Sequence, residues 1–348
     1  MREIKNSHCY FNIDSNESII FDKYNLKKYN NLSVLKADEI KILENNGCWA
    51  DDWNNVHVRR PFKPELVRHS EFHGKVAIGK LEKGHIAFGS TVFQLGIYNS
   101  RITSSVIEDY PAISDSCVSD SVIGKNVIIH RCDEISSFEG AFSKPYIVNL
   151  GNEKCGREAV IFGGITLSDI WLQINFKKDS LLQQMLSEFT KTKFSASSPY
   201  TYIGDSCVLE NNRAIRSVKL GRRTVISGAS RVEESYVNSA SGENTLICDN
   251  AIVLDAVVES GVKIESNAFV EKSFLDHFTT VKQGARVIQS ALGRNSTIAC
   301  AEVQNSFLSP LHEQHHNSSF LIAATIGGQS NIASGATLGS NHNSRAND

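Results

Sequence analysis

The chain has 348 residues, 41 % of them hydrophobic, with 36 Lys and Arg against 38 Asp and Glu for a formal net charge of -2. So balanced a charge offers no basic field for a phosphate backbone, which argues against nucleic acid as a partner. No run of 18 apolar residues occurs and Met1 to Asn6 lack the apolar stretch of a signal peptide, so no membrane partner is expected and the expected compartment is the cytoplasm.

Residues 1 to about 30 are rich in Asn, Lys and Tyr and show no period. A helix is predicted at about 37 to 46, with Ile40 and Leu43 on one side and a stop at Gly47. Trp49 and Trp53 follow, and are expected to plug the open first coil at about Val76 to Gly79, making residues 1–75 a capping region.

From there a six-residue phrase recurs, aliphatic-x-x-small-x-aliphatic. Ile102 to Ile107 and Val118 to Ile123 carry it 16 residues apart. Six further copies begin at Ile215, Val232, Val253, Val270, Val287 and Val303, spaced by 17, 21, 17, 17 and 16 residues. A fixed period this short means a solenoid, and the short aliphatic pieces broken by Gly, Asn, Asp and Ser are strands rather than paired helices. Aliphatic-Gly pairs at Ile123-Gly124, Ile203-Gly204, Leu220-Gly221 and Leu292-Gly293, with the six-residue spacing of Ile326, Ile332 and Leu338, sharpen this to hexapeptide coils. Three hexapeptides per turn make a triangular prism. The predicted fold is therefore an all-β solenoid, a left-handed parallel β-helix, with coils at 76–138 and 202–348. No capping segment follows Leu338-Gly339, so the second segment is expected to continue beyond Asp348 or to be covered by another chain.

The coils are interrupted at 139–201. Asn152, Glu153, Arg157 and Glu158 form a polar loop able to hold a polar ligand, and Asn152, Glu153 and Arg157 are candidate binding residues. A helix is predicted from Asp179 to Lys191. Its apolar stripe of Leu181, Leu182, Met185, Leu186 and Phe189 should be buried on a prism face or a neighbouring subunit.

The last departure runs from Ser309 to Ser318 and, about one coil later, from Gly339 to Arg345. His312-Glu313-Gln314-His315-His316 matches H-E-x-x-H, but that metal motif needs a helix, and a Pro-led excursion between coils does not supply one; no metal is expected. General-base chemistry suits the segment better. His315 or His316, with His342 in the same patch, can take a proton from an attacking hydroxyl or amine. Asn317, Asn341 or Asn343 would orient the imidazole or hold an oxyanion, and Arg345 would meet a phosphate or carboxylate. The eight cysteines form no Cys-x-x-Cys pair, and those in strand-like positions, such as Cys117 and Cys207, are expected to be buried free thiols.

The coils resemble the hexapeptide-repeat, trimeric LpxA-like transferase superfamily, which holds sugar and amino-acid acyltransferases and the β-helical domains of sugar-nucleotide pyrophosphorylases. The finer motifs Asn46 to Trp53, Gly96 to Ser100, Asn152 to Glu158, His315 to Ser318 and Gly339 to Arg345 are similar to a bacterial family described only as a domain of unknown function. The superfamily resemblance implies an acyltransferase that moves an acyl group from coenzyme A or a carrier to a sugar-like or amino acceptor. It also implies His315 or His316 as base, coenzyme A lying along the prism, and a homotrimer. The Gly-rich phosphate loop of the pyrophosphorylases has no counterpart here. The competing expectation is a non-catalytic binding or scaffold module recognising a sugar, nucleotide sugar or partner protein, which would respond to changes at Asn152 to Glu158 rather than at the histidines.

Overall fold

A computed structural model describes residues 32–137, 145–153, 156–193 and 200–339. Each period of the sequence supplies three short strands, and each strand stacks in parallel on its equivalent one period later. The result is a parallel β-solenoid with three faces. Faces A and B have 13 strands each, and face C has 11.

The phrase is the unit of stacking. Its first aliphatic residue lies on face B, where Ile102, Val118, Ile135, Ile215, Val232, Val253, Val270, Val287, Val303, Leu321 and Leu338 pair successively in one register. Fully burying such a side chain is worth about 1.5–3 kcal/mol, and a one-residue slip would turn a whole strand inside out. The interruption does not break this register, since Ile135 pairs directly with Ile215.

The small residue of the phrase turns the corner from face B to face A. Ser273, Ser290 and Ser306 each donate Oγ–H to the carbonyl two residues back, at 2.7, 2.8 and 2.6 Å. Ser290 and Ser306 then donate their amides to the Oγ of the serine one coil before, both at 3.1 Å. The column is a hydrogen-bonded ladder that satisfies corner amides without water. The residue ahead of each serine takes the left-handed conformation, as at Lys272, Gln289 and Asn305.

The parallel coils begin earlier than Val76, because Trp49–Ala50 already pairs with Glu71–His73. Helix α1, Ala37–Asn45, places Leu43 in the core, and Leu32–Val34 runs antiparallel on Val56–Arg59. Of the two tryptophans only Trp53 plugs the end, packing on Phe72 with ring centroids 6.2 Å apart. Trp49 is 54 % exposed and stacks on His73 instead. A hairpin of His85–Phe88 and Thr91–Gln94, not anticipated from the period, lays Phe93 over Ala112, Ile128 and Val208 on face C.

The interruption folds as a unit lying on face A. Strands β1 (Tyr146–Asn149) and β2 (Glu158–Ile161) form an antiparallel hairpin, followed by α2 (Leu167–Asn175) and α3 (Ser180–Lys193). Face A receives it with an apolar column of Tyr236, Val257, Phe274, Ala291 and Phe307, which packs on Val148, Ile161, Phe162, Ile165 and Ile170. Tyr146 donates its hydroxyl to the Ser273 carbonyl at 3.0 Å, and Asn305 Nδ2 donates to the Asn149 carbonyl at 3.1 Å. The prism face buries only part of the α3 stripe. Phe189 reaches Phe162, with ring centroids 5.7 Å apart, but Leu181 and Met185 are 68 % and 60 % exposed because β1, β2 and α2 already occupy the face. Cys117 is likewise exposed rather than buried, whereas Cys48, Cys132 and Cys207 are buried free thiols.

Candidate functional site

The residue that follows the inward aliphatic on face A sits where successive coils come closest. At Gly204, Gly221 and Gly293 an added Cβ would lie 2.8, 2.7 and 2.5 Å from the backbone nitrogen of Arg222, Ser239 and Pro310 one coil on. Three consecutive coils break the rule: Val237-Asn238, Val258-Glu259 and Leu275-Asp276 carry a polar side chain at this position. All three are buried, with 6, 6 and 5 % exposure. They line the corner between faces A and C, and the start of α2 overhangs them.

Between the corner and α2 lies a cleft of about 410 Å³. Its solenoid wall includes Asn238, Glu259, Ser260, Asp276, His277 and Arg294; Thr166 and Ser168 of the insertion form the other side. His277 is fixed through Nδ1, 2.8 Å from Asp276 Oδ1, and its Nε2 is 3.9 Å from Glu259 Oε2. Asn238 Nδ2 donates to the same Glu259 oxygen at 2.8 Å, and Arg294 Nε lies 3.6 Å from Asp276 Oδ2. The hydrogen bond to Asp276 raises the His277 pKa, and Glu259 adds to this against the opposing effect of burial. Burial would raise the Asp276 carboxyl, but its bonds to His277 and its nearness to Arg294 outweigh that and hold it below the usual carboxylate range. The arrangement presents an imidazole with one nitrogen anchored, in the wall of a cleft large enough for a small polar molecule.

The residues expected from sequence fall elsewhere. His315 and His316 follow the face-C strand Glu313–Gln314, with ring centroids 4.4 Å apart and His315 Nδ1 3.3 Å from Glu313 Oε2. Both are exposed. The Asn317 carbonyl accepts from Ser334 Oγ at 2.9 Å. His342, Asn341, Asn343 and Arg345 lie outside the described residues. His312 is buried, with Nδ1 2.8 Å from Ser330 Oγ and Nε2 3.2 Å from Gln314 Oε1; burial lowers its pKa. It is a satisfied core histidine on the way into a strand, so H-E-x-x-H has no helix here. Among the described residues no cluster of three or more metal-binding side chains occurs.

Asn152, Glu153 and Arg157 belong to the β1–β2 turn, which meets the solenoid at the corner before face A, where Gly151 N donates to the Asn305 carbonyl at 2.7 Å. The three candidate groups therefore occupy three different corners. Sequence reasoning missed Asn238, Glu259, Asp276 and His277. The signal available was the loss of Gly after the aliphatic in three successive coils, directly before a histidine.

Similarity to known proteins extends across nearly the whole chain. An uncharacterized protein of Treponema pallidum (strain Nichols) is 34 % identical over 328 residues, which is 90 % of this chain and 45 % of the relative. The chain thus spans about half the length of that relative. The family model DUF4954, a domain of unknown function, matches residues 32–345, and the chain belongs to that family.

Proposed function

We propose that the chain is a group-transfer enzyme of the left-handed hexapeptide-repeat kind. It moves an acyl group from coenzyme A or a carrier to a hydroxyl or amine of a sugar-like acceptor held in the cleft under α2. The observation that carries this reading is His277, its Nδ1 anchored on Asp276 at 2.8 Å and its ring in the wall of the cleft. In the reaction the acceptor's O–H or N–H gives its proton to Nε2 as the oxygen or nitrogen attacks the thioester carbonyl. The C–S bond then breaks and the proton passes on to the leaving thiolate. Asp276 keeps Nδ1 protonated and stabilises the imidazolium, a contribution of the kind worth about 100-fold to 10,000-fold in rate.

A second reading, ligand binding without chemistry, draws on the mutual pairing of Asn238, Glu259, Asp276 and His277, which also suits a purely structural cluster. Thiol release from acetyl-coenzyme A in the presence of candidate acceptors separates the two. Transfer requires His277→Ala to lower release by about 100-fold or more, with melting temperature little changed. Loss on His315→Ala or His316→Ala instead would move the reaction to the face-C corner, and acceptor binding with no release in any variant would leave the binding module.

A further inference from the structure

Resting on the cleft as the acceptor site, we propose that it takes a primary ammonium carried on a hydroxylated frame and discriminates against anions such as sugar phosphates. Glu243, Glu259 and Asp276 line the cleft, against Arg294 as its permanent cation. Asp276 answers both His277 and Arg294, and Glu259 is engaged by Asn238. The Glu243 carboxylate makes no side-chain hydrogen bond or ion pair among the described residues. A half-buried carboxylate of this kind favours a cationic ligand and raises the cost of placing an anion beside it.

The helix start that borders the cleft carries a carboxylate of its own. The N-terminus of α2 borders the cleft, and free helix amides attract phosphate or carboxylate. Here the Thr166–Asp169 capping box engages the Thr166 and Asp169 amides and sets a carboxylate at the helix start. Asp169 N donates to Thr166 Oγ1 at 3.2 Å, and Asp169 Oδ2 accepts from Thr166 N at 3.0 Å and from Thr166 Oγ1 at 2.7 Å. The chain's own carboxylate thus stands at this helix start, where its charge opposes an incoming anion.

The hydroxylated frame is indicated independently by Ser260. It is 2 % exposed and lines the cleft, yet its hydroxyl has no hydrogen-bond partner among the described residues. The hydroxyl keeps its access to the cleft, so it is placed to bond a ligand hydroxyl beside Glu259. Phe274, Ile165 and Pro310 supply apolar wall against the carbon frame.

The test uses the full chain and three probes in calorimetric titrations at pH 7.5: 2-amino-2-deoxyglucose, glucose and glucose 6-phosphate. The amino sugar is expected to bind about tenfold more tightly than glucose, the value of one charge-assisted hydrogen bond, and the phosphate more weakly than either. Glu243→Gln should erase the preference for the amine and leave glucose binding unchanged, and Ser260→Ala should weaken both sugars. Tighter binding of the phosphate, equal binding of all three, or binding of none would overturn the proposal. His277→Ala separates it from the catalytic reading. If that variant and the native chain both keep the amine preference while neither releases thiol from acetyl-coenzyme A, the inference stands and the transfer chemistry falls. Thiol release with neutral acceptors and no amine preference would do the opposite, keeping the transfer chemistry and overturning the inference.

Discussion

Replacing Phe274 with alanine separates the docking of the insertion from the stability of the coils beneath it. The ring is 1 % exposed and packs with Ile165, Ile170 and Phe162 of the insertion, while its neighbour Leu275 faces the opposite way into the solenoid column. A buried Phe→Ala change costs about 3–5 kcal/mol. Because the removed atoms touch the insertion, the loss should fall on docking and not on stacking. At about 1.4 kcal/mol per tenfold, amide exchange governed by undocking should accelerate in residues 146–175 by roughly 100-fold to 3,000-fold. Exchange in the face-B strands Phe269–Glu271 and Arg286–Ile288 should hardly change. Hydrogen exchange read by mass spectrometry resolves both regions. Unchanged protection across 146–175, or equal loss in the face-B strands, would refute the assignment of Phe274 to the docking surface.

His277 and His312, the histidines with shifted pKa values among the described residues, should act oppositely on stability. His277, raised by Asp276, adds stability that is fully present below its unfolded value of about 6.5 and fades as pH rises through its higher folded value. His312, lowered by burial, costs stability as pH falls below about 6.5, where the unfolded chain gains a proton that the folded chain refuses. NMR titration of the ring carbons should show His277 titrating above an ordinary histidine and His312 below it, and Asp276→Asn should bring His277 down; an unmoved midpoint there would break the Asp276 link. Gly221→Ala sets a Cβ 2.7 Å from the Ser239 nitrogen, which is backbone and cannot swing aside, so urea denaturation should show a loss of about 1–3 kcal/mol. Full stability would mean the coils separate easily at this corner. Alkylation at pH 8 should label exposed Cys117 and spare Cys207, whose thiol burial pushes up to about 12; modification of Cys207 in the folded chain would contradict that burial.

Much of the solenoid is written locally. The period that carries Ile215, Val232, Val253, Val270, Val287 and Val303 determines one inward column, and the serine in the phrase determines one corner, because each coil meets only its neighbours and repeats their chemistry. Helix α1 was equally legible from its own residues. Even the covered face left a trace: the fifth position of the phrase points outward and is filled by Tyr236, Val257, Phe274, Ala291 and Phe307, a column too apolar to face water. What the phrase does not contain is the identity of the cover. The insertion leaves the chain after Ile135–Ser136 and docks on coils from Tyr236 to Phe307, and no local pattern encodes that reach.

The candidate site depends on the same long-range step. As a string, Leu275-Asp276-His277-Phe278 is one coil among several, and His315-His316 is the denser histidine signal. Only the stacked fold sets Asp276 above Glu259 and Asn238, and only the docked insertion closes that corner into a cleft, leaving His315 and His316 on an open one. The sequence by itself thus determined the repeating frame, its register and its inward columns, since these follow from periodic burial between adjacent coils. The tertiary structure decided which face is covered and where a histidine acquires both an anchor and a cavity, because those contacts join segments roughly a hundred residues apart with no shared period.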